Sequence, residues 1–267
     1  MDRKVPHVLG HEVCGKIVES QDSRFPMGSR VFPHHHAAAL SGAFAQSVHS
    51  EQWKQTKLVP GGMAEYFAVP EQNLDDTHIV DDLRAQDAAL IEPLACVMKS
   101  LRLGGPGSAS VLGLGVMGLM HMLALENSTG VDPNIARVKW AKELGMDAYA
   151  SNCCQMYDVI YVCPGSQQAF DDALEYVQPG GTIVMFAPLP PQEDLVVPQE
   201  AYFHDLTIRH SYSCAQPDVL AAINIIRAGR VTAEQVVSHQ ISLDELPAAY
   251  QAMKAGQILK PMVLFPN

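Results

Sequence analysis

The chain has 267 residues, enough for two domains and a substantial core, and its 48 % hydrophobic and 18 % charged residues are ordinary for a globular protein. A formal net charge of −11 argues against nucleic acid or an anionic membrane surface as the main partner. No apolar run reaches membrane-spanning length, and Met1-Asp2-Arg3-Lys4 leads into no signal-peptide core, so no membrane partner is expected. The six cysteines (Cys14, Cys96, Cys153, Cys154, Cys163, Cys214) lack a secretory spacing and are expected as buried thiols in a reducing cytoplasm. The adjacent pair Cys153-Cys154 reads either as a redox or metal feature or as two small loop residues.

In chain order, Val8 to Glu19 is β-like and broken by glycines, as at bulges and barrel corners. Gly28 to Phe32 reads as a turn entering a strand, and Pro33 to Pro60 as a long polar loop or lobe. Gly61 to Pro70 reads as turn, strand and stop. From Ala85 to Leu103 the pattern turns helical, with Pro93 marking a start or kink, and Gly104-Gly105-Pro106-Gly107 is a breaker. Beyond it, strand-like runs (Asp158 to Cys163, Thr182 to Phe186, Leu206 to Arg209) alternate with helical ones (Ile135 to Leu144, Gln167 to Val177). That alternation predicts an α/β fold with a doubly wound parallel sheet. Asp218 to Ala228 and a segment ending at Lys254 read as helices, and Pro261 to Phe265 as a closing strand.

The stretch from Ser108 to Arg137 carries the most chemistry. An apolar run, Ala109 to Leu112, enters a turn with Gly113, Gly115 and Gly118, followed by a helical pattern, then Thr129-Gly130-Val131 and Asp132. In such a unit Gly113 permits a tight turn, Gly115 leaves room for a pyrophosphate and Gly118 allows close helix–strand packing. The helix N-terminus, beginning near Val116 and Met117, offers free N–H groups to the phosphates. Asp132 would accept from ribose hydroxyls and repel a 2′-phosphate, which favours NAD over NADP. The interval from Gly118 to Asp132 is short, so the intervening helix is expected to be clipped.

Ordered motifs extend the reading to nearly the whole chain. Gly10-His11-Glu12 with Gly15, Gly28 to Val31, Gly62 to Tyr66 with Val69-Pro70, Glu92 to Ala95, Gly113 to Gly118, Asp132 with Arg137, and Leu243 to Glu245 with Ala248 to Tyr250 and Lys260 follow in sequence. Together they resemble the zinc-type medium-chain alcohol/polyol dehydrogenases, the sorbitol and threonine dehydrogenase group. The resemblance implies a GroES-like β-barrel domain (1–100 and 215–267) and a Rossmann domain (101–214). It implies hydride transfer between a small alcohol or polyol and NAD, with one catalytic zinc. His11, Glu12 and Glu92 match the metal-site positions. Gly113, Gly115, Val116, Met117, Gly118, Asp132 and Arg137 match the cofactor-binding ones. A homo-oligomer built through the Rossmann edge at Leu206 to Tyr212 is also implied.

Three departures from the family pattern set further expectations. No Cys-x-Ser/Thr-Asp segment precedes Gly-His-Glu, so the barrel is expected to be incomplete, with a partner chain or oligomer covering it, and the ligand set is expected to lack its cysteine. Ala37 to Ser50 holds no cysteine, which predicts no structural zinc, while His34-His35-His36 either binds metal or is structural. The Rossmann half is trimmed after Gly118 and between Tyr149 and Asp158, where a parallel crossover is expected to be lost. Two other readings stay open: an inactive family member keeping the fold as a structural or regulatory subunit, and a zinc-free quinone or enoyl reductase.

Overall fold

The structure is a computed structural model and describes residues 10–34, 61–151 and 155–266. Cys153-Cys154, His35, His36 and the stretch 37–50 lie outside the described residues. The strands are β1 (Gly15–Lys16), β2 (Arg30–Pro33), β3 (Thr77–Ile79), β4 (Ala109–Leu112), β5 (Ser128–Val131), β6 (Asp147–Tyr149), β7 (Tyr157–Val162), β8 (Val177–Met185), β9 (Thr207–His210), β10 (His239–Ile241) and β11 (Pro261–Val263). The helices are α1 (Ala85–Ala88), α2 (Ile91–Gly104), α3 (Val116–Ala124), α4 (Ile135–Glu143), α5 (Gln167–Tyr176), α6 (Glu200–Phe203), α7 (Gln216–Arg227), α8 (Ala233–Val236) and α9 (Leu246–Lys254). Two compact units result, one of Met1–Ala95 with Cys214–Asn267, the other of Cys96–Ser213.

The second unit is a six-stranded sheet in the order β6-β5-β4-β7-β8-β9, with every neighbouring pair parallel. Counted from β4, this is the 3-2-1-4-5-6 order of a dinucleotide-binding sheet. Central strands of such a sheet are covered on both faces, so they read as unbroken apolar runs. All four residues of β4 are buried, and in β7 only Asp158 is exposed. On one face Leu112, Val131, Ile160, Val162, Ile183 and Met185 form a core with Phe170 and Ala173 of α5. Those two α5 residues lie one helical turn apart on one face. Ser166 starts this helix by accepting from the Ala169 N–H at 3.2 Å.

Trimming has not removed a strand. Helix α3 is clipped to nine residues, as its short interval predicts. The expected loss of the crossover between Tyr149 and Asp158 does not occur, because β6 and β7 both hold parallel partners. The physical reason is reach. The seven residues 150–156 can span about 24 Å when extended, against about 14 Å for three inter-strand spacings.

The first unit contains the antiparallel sheet β1-β2-β3, the parallel pair β10-β11 and helices α1, α7, α8 and α9. Of the β-like run Val8 to Glu19, the described part is ladder-paired only at Gly15–Lys16. The strand expected in Gly61 to Pro70 is a series of bends with one bridging residue, Ala68. Close approach accounts for this: Gly62 donates to the Gly10 carbonyl at 2.9 Å, and a Cβ on Gly62 would lie 2.1 Å from Val13 Cγ1. The chain is drawn into a local contact rather than along a ladder.

Charged groups tie the two sequence segments of this unit together. Asp87, buried on α1, accepts from the Ala233 N–H at 2.7 Å and from Arg84, which also reaches Glu234 at 2.6 Å. Arg227 pairs with Asp82 at 2.7 Å. Among the described residues, no helix is long and apolar enough to cross a membrane.

Candidate metal and dinucleotide sites

Glu92 anchors the first site. It is the second residue of α2, with Pro93 in the first turn, where a missing N–H costs nothing. Its carboxylate is buried at 4 % exposure in the low-dielectric start of the helix. His11 and Glu12, far away in sequence, come to the same place. One ligand atom from each of His11, Glu12 and Glu92 lies within 4.8 Å of the others. His11 Nε2 is 3.9 Å from Glu92 Oε2, with about half of the imidazole side chain exposed. Desolvation lowers the pKa of His11, and His34 and Lys260 lower it further against the opposing pull of Glu12. The imidazole is therefore neutral at pH 7, with a lone pair for a Lewis acid. Glu12 is held by an ion pair with Lys260. Nitrogen and oxygen donors of this kind suit a divalent ion with an open coordination position.

A second cluster shares Glu92. His34 follows β2, and the β2–β3 register, with Pro33 opposite Thr77, sets it opposite Asp76. Its backbone N–H donates to the Asp76 carbonyl at 3.1 Å, and its Nδ1 is 2.6 Å from Asp76 Oδ2. Asp76 Oδ1 takes His78 Nε2 at 3.2 Å. On its other side, His34 Nε2 lies 3.4 Å from Cys214 Sγ, just ahead of α7. His34, Asp76 and Cys214 are all essentially inaccessible. Burial is the largest influence on both His34 and Asp76 and opposes their charge, but it is outweighed by the sum of the others. Hydrogen bonds and charges of Asp76 and Cys214 raise the pKa of His34, and those of His34 and His78 lower that of Asp76. His34, Glu92 and Cys214 also place their ligand atoms within 4.8 Å of one another. Sequence reasoning singled out His34 only as part of a histidine run and missed Asp76 and Cys214. The available signal was a histidine leaving one strand and an acid entering its neighbour.

In the other unit, Gly113 leaves β4 at φ +87 and the turn delivers Gly115 to the start of α3. A Cβ on Gly115 would meet nothing within 4 Å, so this face of the turn is open to a ligand. A Cβ on Gly118 would lie 1.8 Å from the Gly113 carbonyl oxygen, so α3 can pack against the turn only with glycine there. Val116 and Met117 form the first turn of α3. Asp132 directly follows β5, is buried, and takes part in the turn itself. Its Oδ2 accepts from the Leu114 N–H at 2.7 Å and from Arg137 at 3.3 Å, and its Oδ1 from the Asn134 N–H at 2.8 Å. A carboxylate has about four acceptor positions, so one remains for a ribose hydroxyl. The open cradle, the helix N-terminus and the terminal acid fit a dinucleotide.

Comparison with known proteins agrees with both halves. Residues 1–78 match the family model of the alcohol dehydrogenase GroES-like domain, and residues 112–228 that of zinc-binding dehydrogenases. L-threonine 3-dehydrogenase of Rhizobium rhizogenes is 25 % identical over 94 % of this chain and 80 % of its own length. D-altritol 5-dehydrogenase of Agrobacterium fabrum is 26 % identical over 92 % of this chain and 79 % of its own. The crystal structure of 2R,3R-butanediol dehydrogenase from Bacillus subtilis superposes with a TM-score of 0.83 at 22 % identity, covering 98 % of this chain and 81 % of that one. The chain belongs to the zinc-type medium-chain alcohol/polyol dehydrogenase family, a family of NAD(P)-dependent oxidoreductases.

Proposed function

We propose that the chain transfers a hydride between a small alcohol or polyol and NAD, with His11, Glu12 and Glu92 as ligands of a catalytic zinc. The observation that carries this reading is the convergence of those three side chains to within 4.8 Å from separate parts of the sequence. His11, Glu12 and Glu92 would hold a zinc whose Lewis acidity would act on the alcohol oxygen, and a dinucleotide held by the other unit would supply the hydride acceptor. The protein's own groups prepare both events. His11 is kept neutral and therefore able to ligate. Glu92 supplies a buried negative charge, and Lys260 fixes Glu12 against it. In the other unit, the Val116 and Met117 end of α3 would hold the pyrophosphate, with Gly115 leaving room for it. The charge of Asp132 disfavours a 2′-phosphate, which supports NAD over NADP.

The relatives named above act on threonine and on a sugar alcohol, which supports small hydroxylated substrates. No specific observation favours an inactive subunit. The β9 edge of the sheet carries exposed Tyr202, Phe203 and Tyr212 nearby, which supports pairing with a second copy there.

His11→Ala tests the reading. Turnover of alcohols should be abolished while NAD binding, measured by calorimetry, is unchanged. Turnover at the parent rate in that variant would remove His11 and the metal from the mechanism.

A further inference from the structure

We propose that His34, Glu92 and Cys214 form a buried site for zinc or another thiolate-preferring divalent cation, with Asp76 as the residue that positions His34. This site lies beside the His11, Glu12 and Glu92 set and shares only Glu92 with it. The donor atoms already have the spacing of a coordination shell. Tetrahedral zinc with ordinary Zn–N and Zn–S bonds separates its nitrogen and sulfur ligands by about 3.5 Å. Cys214 Sγ and His34 Nε2 are 3.4 Å apart. The outer shell is in place as well. A carboxylate can only accept, so Asp76 takes the Nδ1 proton of His34 and leaves Nε2 facing Cys214. A carboxylate behind a histidine is the arrangement that fixes the tautomer and orientation of a metal ligand.

Electrostatics point the same way. Two carboxylates, an imidazole and a thiol are gathered where side chains are inaccessible. With the thiol ionised, the ligands and Asp76 carry three negative charges, which a dication offsets. The donor set of one sulfur, one nitrogen and one carboxylate oxygen selects a thiolate-preferring ion over magnesium or calcium. For Cys214 Sγ and His34 Nε2 both to ligate, any proton on either atom would leave to solvent as its lone pair passes to the cation.

Cobalt(II) titration of the full chain tests the site, because a thiolate ligand gives a sulfur-to-cobalt charge-transfer band that oxygen and nitrogen ligands do not. The proposal expects this band in the parent protein. His11→Ala should keep the band, whether or not it turns over alcohols, so the fate of the catalytic reading is scored separately. Cys214→Ser should lose it while circular dichroism and the urea midpoint stay at the parent's values. Asp76→Asn should keep the band but bind cobalt about 10- to 100-fold more weakly. A band that persists in Cys214→Ser, a band lost in His11→Ala, or a parent protein with no thiolate band would each overturn the proposal.

Discussion

Gly115 and Gly118 stand three residues apart and face opposite constraints. A side chain on Gly118 would strike the Gly113 carbonyl oxygen, whereas one on Gly115 would enter open space. Gly115→Val is therefore expected to leave thermal stability close to the parent's. A cap change of this sort costs about 1 kcal/mol. It should nonetheless abolish NAD binding by filling the pyrophosphate position, and calorimetric titration with NAD is the check. His121 supplies a second prediction. It is fully buried in α3, with Nδ1 2.8 Å from the Met117 carbonyl, and packs edge-on against Phe186 at 4.9 Å. Burial lowers its pKa to about 4. The folded value lies below the unfolded one, so between about pH 6.5 and 4 the unfolded chain binds the proton and the folded chain does not. Stability should fall through that window by up to roughly 3 kcal/mol and level off below it. Urea midpoints of parent and His121→Gln at pH 7 and pH 5 test this. The variant should lose less on acidification, and equal losses would remove His121 from the account.

Among the elements, the paired segments of the first unit depend on Asp87. Its carboxylate answers the Ala233 N–H at the start of α8 and the guanidinium of Arg84. Asp87→Ala would leave a buried backbone donor unsatisfied, at a cost of about 1–3 kcal/mol. Arg84→Ala, whose side chain is half exposed and screened by solvent, should cost clearly less. Urea unfolding of the two variants gives the comparison, and equal effects would contradict it. The same elements show what can be read from a linear chain. Strand β4, the glycine turn and α3 were legible because their determinants are local: apolar run, glycine spacing, helical period. Gly61 to Pro70 was misread as a strand because its shape is decided by Gly62 against Gly10 and Val13, which no local pattern records. Asp76 and Cys214 escaped notice for the same reason. Their partner His34 reaches one through strand register and the other across most of the sequence.

At the scale of the molecule, the two units of the chain carry different candidate sites. The sheet order and the glycine cradle belong to one, and the carboxylate–imidazole clusters around Glu92 to the other. The fold class was legible at this scale because alternating strands and helices leave few topologies open. The trimmed connections misled only about the crossover, where chain length permits a span that a helix would normally make.

The central claim is metal-assisted alcohol oxidation with NAD, and one measurement meets it most directly. NADH formation should be followed with a panel of secondary alcohols and polyols, using zinc-loaded protein before and after chelation. The account predicts turnover of at least one member, its loss on chelation and its return with added zinc. Turnover that survives chelation, or a zinc-loaded, NAD-binding protein that oxidises none of the panel, would contradict it.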